Sequence, residues 1–324
     1  MNKVSVIVPV YNGEKDIERC LFSLLNQTIS VDIIVVNDGS TDDTEKVIRK
    51  IEQLYPEKIK YYFKENKGIA SARNFGVNQV KTEYFGFLDS DDFTEKNMFE
   101  SLLNKIEDTN SDICMSNFVW LYEDGTKHIT KDINYKNKHD ILNNMFAVLW
   151  NKLYRTEWFK NTGITFPDGL KYEDASVLYR LALNMDKVCY VDDVFVNYVQ
   201  KTGSITRTFN VEINDMIEVF KGIKQYYIHQ NQYEEYKNEI EYLYIRFFLG
   251  NSYLRACRIK DRELRNSVLN KGWNFLNDNY PNFKDNCYLK NSGLKNKYFS
   301  MINKKTYFIN VYLFKLLYVL GIMK

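Results

Sequence analysis

Three aspartates stand within four positions at Asp89-Ser90-Asp91-Asp92, directly after the apolar run Tyr84–Leu88. Carboxylates this close repel one another unless something positive is bound between them. Hard divalent cations such as Mg2+ or Mn2+ take oxygen ligands of this kind and share their shell with phosphates. The same residues also suit a helix start, with Asp92 capping Thr94–Leu103 while its neighbours bind. A second acidic pair, Glu173-Asp174, opens another helical pattern. A carboxylate there can take the proton of an attacking hydroxyl, or simply favour the helix dipole. Asn37-Asp38-Gly39-Ser40-Thr41-Asp42 reads as a turn plus N-cap, which leaves Asp38 at a strand tip to accept from a base or a ribose. Tyr11 offers a face for stacking a nucleobase, and Trp150 one for a sugar, although either ring also suits packing. Arg73, in Gly68-Ile69-Ala70-Ser71-Ala72-Arg73-Asn74, can anchor an acidic neighbour or reach a nucleotide. Lys201, Ser204 and Arg207 lie in the polar segment Gln200–Thr208, where they can donate to a departing oxyanion or form a solvated basic loop.

These residues need elements that bring them together. Strands are expected at Val4–Val8, Ile33–Val36, Lys60–Phe63, Tyr84–Leu88 and Ile113–Tyr122. Helices are expected at Asp16–Leu25, with Ile17, Leu21, Leu24 and Leu25 on one face, and at Thr44–Leu54 and Ile69–Val77. This β-α-β-α rhythm predicts a mostly parallel sheet wrapped by helices. In such a sheet ligands collect beyond the carboxyl ends of the strands, so Tyr11, Asp38 and the acidic cluster share one rim. Asp140–Tyr154 and Glu173–Met185 read as helices, Thr162–Leu170 as a loop and Val188–Val199 as a strand. From Val211 the pattern is all-helical. The expected organisation is a domain at 1–210 and a helical region at 211–324.

Composition narrows the classes. With 45% apolar and 27% charged residues in 324, and only 4 prolines and 14 glycines, disorder and collagenous architecture are excluded. The net charge of +2 does not call for nucleic acid. Five cysteines without CxxC spacing, and an N-terminus that enters a strand without a charged leader, lead to the expectation of a reduced, cytoplasmic protein. His128, His139 and His229 share no motif. From Lys284 to Lys324 there are eight lysines and one acid. Tyr307–Met323 is nearly all apolar but interrupted by Asn310 and Lys315, too short and too charged to span a bilayer. Two readings stand for it: a basic helix on an anionic membrane surface, or a terminal helix packed on its own domain or on a sister subunit.

Val4-Ser5-Val6-Ile7-Val8-Pro9-Val10-Tyr11-Asn12, Asn37-Asp38-Gly39-Ser40-Thr41-Asp42, Asn66-Lys67-Gly68 with Ala72-Arg73-Asn74, and Asp89-Ser90-Asp91-Asp92 follow one another at these separations. That set resembles the family 2 glycosyltransferases of the GT-A fold. Trp150-Asn151-Lys152-Leu153-Tyr154, Tyr172-Glu173-Asp174 and Gly203-Ser204-Ile205-Thr206 extend the likeness to about Thr208, and the last third lies outside it. The resemblance implies inverting transfer of a sugar from a UDP-sugar to a hydroxyl of a glycan or lipid-linked glycan. It places Pro9, Tyr11, Asp38 and Arg73 at the nucleotide, Asp89 at the ribose, and Asp91 with Asp89 and Asp92 at Mn2+ or Mg2+. Lys201 and Ser204 then face the diphosphate, Asp174 is the general base, and Trp150, Asn151, Lys152 and Glu173 lie on the acceptor side. A sugar nucleotidyltransferase is the rival enzyme, but Pro9-Val10-Tyr11-Asn12-Gly13-Glu14 has one glycine where a triphosphate needs a basic Gly-rich loop. A non-catalytic sugar-binding subunit is the other alternative, and the joint presence of Asp89, Asp91 and Asp174 argues against it.

Overall fold

A computed structural model describes residues 2–131, 135–201, 210–291 and 293–319. Met1–Thr202 and Gly203–Lys324 are two compact units.

The first unit opens with β1 (Val4–Val10), buried along its whole length. It continues with α1 (Ile17–Leu25), β2 (Asp32–Asp38), α2 (Thr44–Leu54), β3 (Ile59–Lys64), α3 (Ile69–Gln79) and β4 (Tyr84–Phe87). These four strands pair in parallel in the order β3-β2-β1-β4. β1 and β2 are near-continuous apolar runs because both faces of a wrapped parallel sheet are covered. Ile17, Cys20, Leu21, Leu24 and Leu25 form the buried face of α1, the predicted stripe plus one thiol. Gly76 lets α3 lie close on β1: a Cβ there would meet Ile7 Cγ2 at 2.5 Å.

Beyond β4 the sheet changes character. β5 (Phe93–Thr94), α4 (Met98–Asp108), β6 (Ile113–Tyr122), β7 (Lys127–Thr130), α5 (Lys138–Asn144), β8 (Lys152–Arg155), α6 (Thr156–Asn161), α7 (Glu173–Leu181) and β9 (Val188–Gln200) follow. The order runs on as β4-β8-β6-β9-β5, with β7 on β6. β8 is antiparallel to both neighbours, while β9 is parallel to β6. The helix expected over Asp140–Tyr154 therefore stops at Asn144, and Lys152–Arg155 is a strand. Its apolar residues fill the slot between β4 and β6, a tertiary demand that local periodicity does not carry.

The second unit is helical: α8 (Asp215–His229), α9 (Tyr233–Arg246), α10 (Ser252–Cys257), α11 (Arg262–Asn279), α12 (Leu294–Met301) and α13 (Lys304–Val319). Its core is aromatic: Phe220 and Phe275 each touch both Tyr244 and Phe248, which also meet one another. No helix among the described residues is long and apolar enough to cross a membrane.

Candidate active site

The loops at the tips of β1 and β2 are stitched together. Asn12 N–H donates to Ser40 Oγ at 2.9 Å, and Thr41 N–H donates back to Asn12 Oδ1 at 2.8 Å. Gly13 N–H donates to Thr44 Oγ1, and Asp43 N–H to Glu14 Oε2. Ser40, expected to serve the turn, thus clasps the neighbouring loop together with Thr41, while Asp42 Oδ1 accepts from Thr44 N–H at 3.1 Å at the start of α2. Gly39 has φ +72°, and a Cβ there would meet Asn66 N at 2.8 Å, so only glycine lets the β2 loop approach the loop before α3. Pro9 is buried inside β1, and Tyr11 stands on the surface just beyond it, 52% exposed.

Asp38 is not free as expected. Lys67 N–H and Gly68 N–H donate to its two oxygens at 3.1 and 2.8 Å, and Lys64 pairs with it. Lys64 sits opposite Asp38 in the parallel register of β2 and β3, so strand pairing dictates the ion pair. The carboxylate holds the entry to α3 in place.

Arg73 is buried and holds two acids from distant parts of the chain. Nη2 donates to Asp89 Oδ1 at 2.7 Å, and Nη1 pairs with Glu173, a hundred residues away in sequence. The Phe166 ring centre lies 5.8 Å from the guanidinium. Nε is buried with no hydrogen-bond partner among the described residues. Burial alone would weaken this cation, but Asp89 and Glu173 outweigh that and hold it firmly protonated. Of the two roles expected for Arg73, the structure has it anchoring acidic neighbours.

The three aspartates after β4 have different surroundings. Asp89 keeps its second oxygen clear of hydrogen bonds among the described residues. Asp91 is half-buried; burial and Asp89 push its carboxyl up to about 6, with Lys201 pulling the other way. Asp92 is fully buried, and Oδ1 accepts from Val199 N–H of β9 at 2.8 Å. Burial and the two neighbouring acids raise its pKa well above the usual carboxylate range, and Oδ2 has no partner among the described residues. The expectations for Asp92 thus change on both counts. It caps no helix, since α4 starts after Asn97, and it faces β9 rather than the solvent side of the cluster.

Among the described residues no group of three or more His, Cys, Asp or Glu is arranged to hold a metal. Mg2+-type ions are commonly held by one or two carboxylates while phosphates supply the rest, and Asp91 with the unused Asp89 oxygen fits that mode. Arg19, which the sequence reading passed over, donates to the Asp91 carbonyl at 2.6 Å. Lys201 pairs with Asp16 at this rim. Ser204 and Arg207 lie outside the described residues.

Glu173 and Asp174 begin α7 after Tyr172, which holds a left-handed φ of 64°, a strained conformation for a bulky residue. Glu173 is taken up by Arg73. Asp174 is half-buried; burial first and Glu173 second push it up to about 7, against the pull of Arg73. A carboxylate so poised is matched to proton transfer near neutrality.

Trp150, Asn151 and Lys152 do not join this rim as side chains open to a sugar. Trp150 is buried in the core against Phe118 and Tyr198. Asn151 donates to the Ser116 carbonyl at 2.6 Å, and Lys152 donates to the Phe146 and Val148 carbonyls and to Asn151 Oδ1. All three flank or open β8, the strand that replaced the expected helix.

The sequence profile of Glycosyl transferase family 2 matches residues 5–169, just over half of the chain. The chain belongs to that family. Among family relatives, glycosyltransferase GlyA of Streptococcus pneumoniae is 33% identical over 225 residues, 64% of this chain but 32% of GlyA. The chain thus spans about a third of that relative's length. The processive diacylglycerol beta-glycosyltransferase of Mycoplasma pneumoniae is 28% identical over 311 residues, 86% of this chain and 90% of the relative. Among solved structures, S. aureus TarS 1-349 in complex with UDP-GlcNAc aligns with TM-score 0.71 at 23% identity, covering 98% of this chain and 92% of TarS. The GT-A type α/β fold with a helical C-terminal part is thereby shared with TarS.

Proposed function

We propose that the protein transfers a sugar from a UDP-sugar to a hydroxyl of a glycan or lipid-linked glycan, with inversion at the anomeric carbon and Asp174 as general base. The observation that carries this is the Arg73 bridge, which ties Asp89, on the donor rim, to Glu173, next to Asp174. One buried cation thereby ties the acid that would meet the nucleotide to the neighbour of the acid that would meet the acceptor. The UDP-GlcNAc of the TarS complex and the lipid acceptor in the name of the Mycoplasma relative support a UDP-sugar donor and a hydroxyl acceptor.

Tyr11 stacks the uracil in this reading, and the Asp38 network fixes the backbone around it. Asp174 accepts the proton of the acceptor hydroxyl as its oxygen bonds to the anomeric carbon. On the opposite face the bond from that carbon to the diphosphate oxygen breaks, and UDP leaves with the electron pair. Asp91 and Asp89 would hold Mn2+ or Mg2+, which when bound supplies positive charge to the diphosphate. Lys201 adds a cation at the same rim, with Asp16 holding it in place.

Replacing Asp174 by Asn keeps size and hydrogen bonding but removes the base. Transfer falls by about 10²–10⁴-fold, while UDP affinity measured by calorimetry stays within a few-fold. Equal loss of both would assign Asp174 to folding or donor binding instead.

A further inference from the structure

We propose that the outer face of α13 is a docking surface for an anionic lipid bilayer. The helix, KKTYFINVYLFKLLYV, is apolar nearly all round. A helix of that kind is ordinarily buried on all sides. Its own unit covers one side only. Tyr307 and Val311 are buried there; Tyr307 packs 4.5 Å from Tyr253 and 5.1 Å from Trp273 between ring centres, and its carbonyl accepts from Tyr253 Oη at 2.6 Å. On the opposite side Ile309, Tyr312, Leu313 and Leu316, spaced as i, i+3, i+4 and i+7, are each more than half exposed. Within the same unit Leu294 and Met301 of α12 are exposed as well, at 88% and 66%.

Charge selects the occupant. From Asn286 to Val319 there are six lysines and no acid. Lys304 and Lys305 are exposed at the start of α13, with Lys305 one turn before Ile309 on the same face. A second copy docked face to face would set these lysines against their own equivalents, with no acid in the segment to answer them. Anionic headgroups answer them directly, and the apolar stripe enters the boundary between headgroups and acyl chains. With a lysine inside its apolar run, a helix of 16 residues lies along the surface rather than crossing it.

The test uses the full chain and vesicles of phosphatidylcholine, with and without phosphatidylglycerol. Sedimentation with the mixed vesicles, weakened by salt and absent with phosphatidylcholine alone, is the expected result. Ile309→Gln/Leu313→Gln/Leu316→Gln and, separately, Lys304→Glu/Lys305→Glu each lower the bound fraction at least about tenfold, since each surface lysine contributes roughly fivefold. Circular dichroism of both variants matches the wild type, because the changed side chains are exposed. Failure of the wild type to sediment overturns the proposal, as does unchanged binding by both variants. So does a concentration-dependent dimer in light scattering that the triple variant abolishes, which would make a second copy the occupant. UDP-sugar hydrolysis, followed in parallel, reports on the catalytic reading and is independent of each outcome.

Discussion

Asp174 carries a carboxyl whose proton is held by burial and by Glu173 and released by Arg73. In its proposed role as base it works only when ionised, so a carboxyl shifted up to about 7 gives a kcat/KM that rises with pH through neutrality and levels off above it. Glu173→Gln removes a negative neighbour and keeps a partner for Arg73. The rising limb of the pH–rate profile then moves to lower pH, which initial rates across a buffer series will reveal; a limb that stays put would detach Asp174 from the profile. On the proposed cation site, Mn2+ strengthens UDP binding and Asp91→Asn loses most of that gain, read by titration with and without the ion. At this scale the sequence shows which residue types are present but not which are already engaged. Asp38 read as a free acceptor because its partner Lys64 is visible only once β2 and β3 are in register. Arg73 was legible as a residue that anchors acids; Glu173 as its partner was not, because a hundred positions separate them.

The elements set which of these groups reach the rim. Gly76 is the point where α3 touches β1, and Gly76→Val forces a methyl into Ile7. Overpacking of this kind costs roughly 1–3 kcal/mol, seen as a lower denaturation midpoint with unchanged slope. Asp92 fixes β9 through the Val199 amide, so Asp92→Ala leaves a buried N–H unsatisfied and costs about 1–3 kcal/mol. Asp92→Asn keeps the acceptor oxygen and costs clearly less in the same urea titration. The parallel half of the sheet was readable because its strands are continuous apolar runs punctuated by turn residues. β8 was not: Leu149-Trp150-Asn151-Lys152-Leu153-Tyr154 is apolar enough for a helix or a strand, and only the gap between β4 and β6 decides. The fate of Trp150, Asn151 and Lys152 follows from that one decision.

At the scale of the whole molecule, each unit owns a core. The first is centred on the sheet and mixes aliphatic residues with rings such as Phe85 and Tyr154, while the second is helical and built around rings such as Phe220, Tyr244 and Phe248. Chains of this length with two cores generally depart from two-state unfolding. Scanning calorimetry is expected to give a calorimetric enthalpy larger than the van't Hoff enthalpy; equality of the two would mean a single cooperative block. The helical nature of the second unit was plain from apolar spacing alone. Which side of α13 is covered was not, since both sides of that helix are equally apolar and only the packing of Tyr307 and Val311 chooses one.

The Arg73 bridge also fastens together stretches of chain that lie far apart in sequence. Asp89, the first counter-charge of Arg73, follows β4, while the Phe166 ring over the guanidinium and the second counter-charge, Glu173, belong to a later stretch of chain. Glu173 reaches Arg73 from the first residue of α7, next to Asp174. Losing that one guanidinium would therefore loosen Asp89 and the start of α7 together, and Asp174 with them.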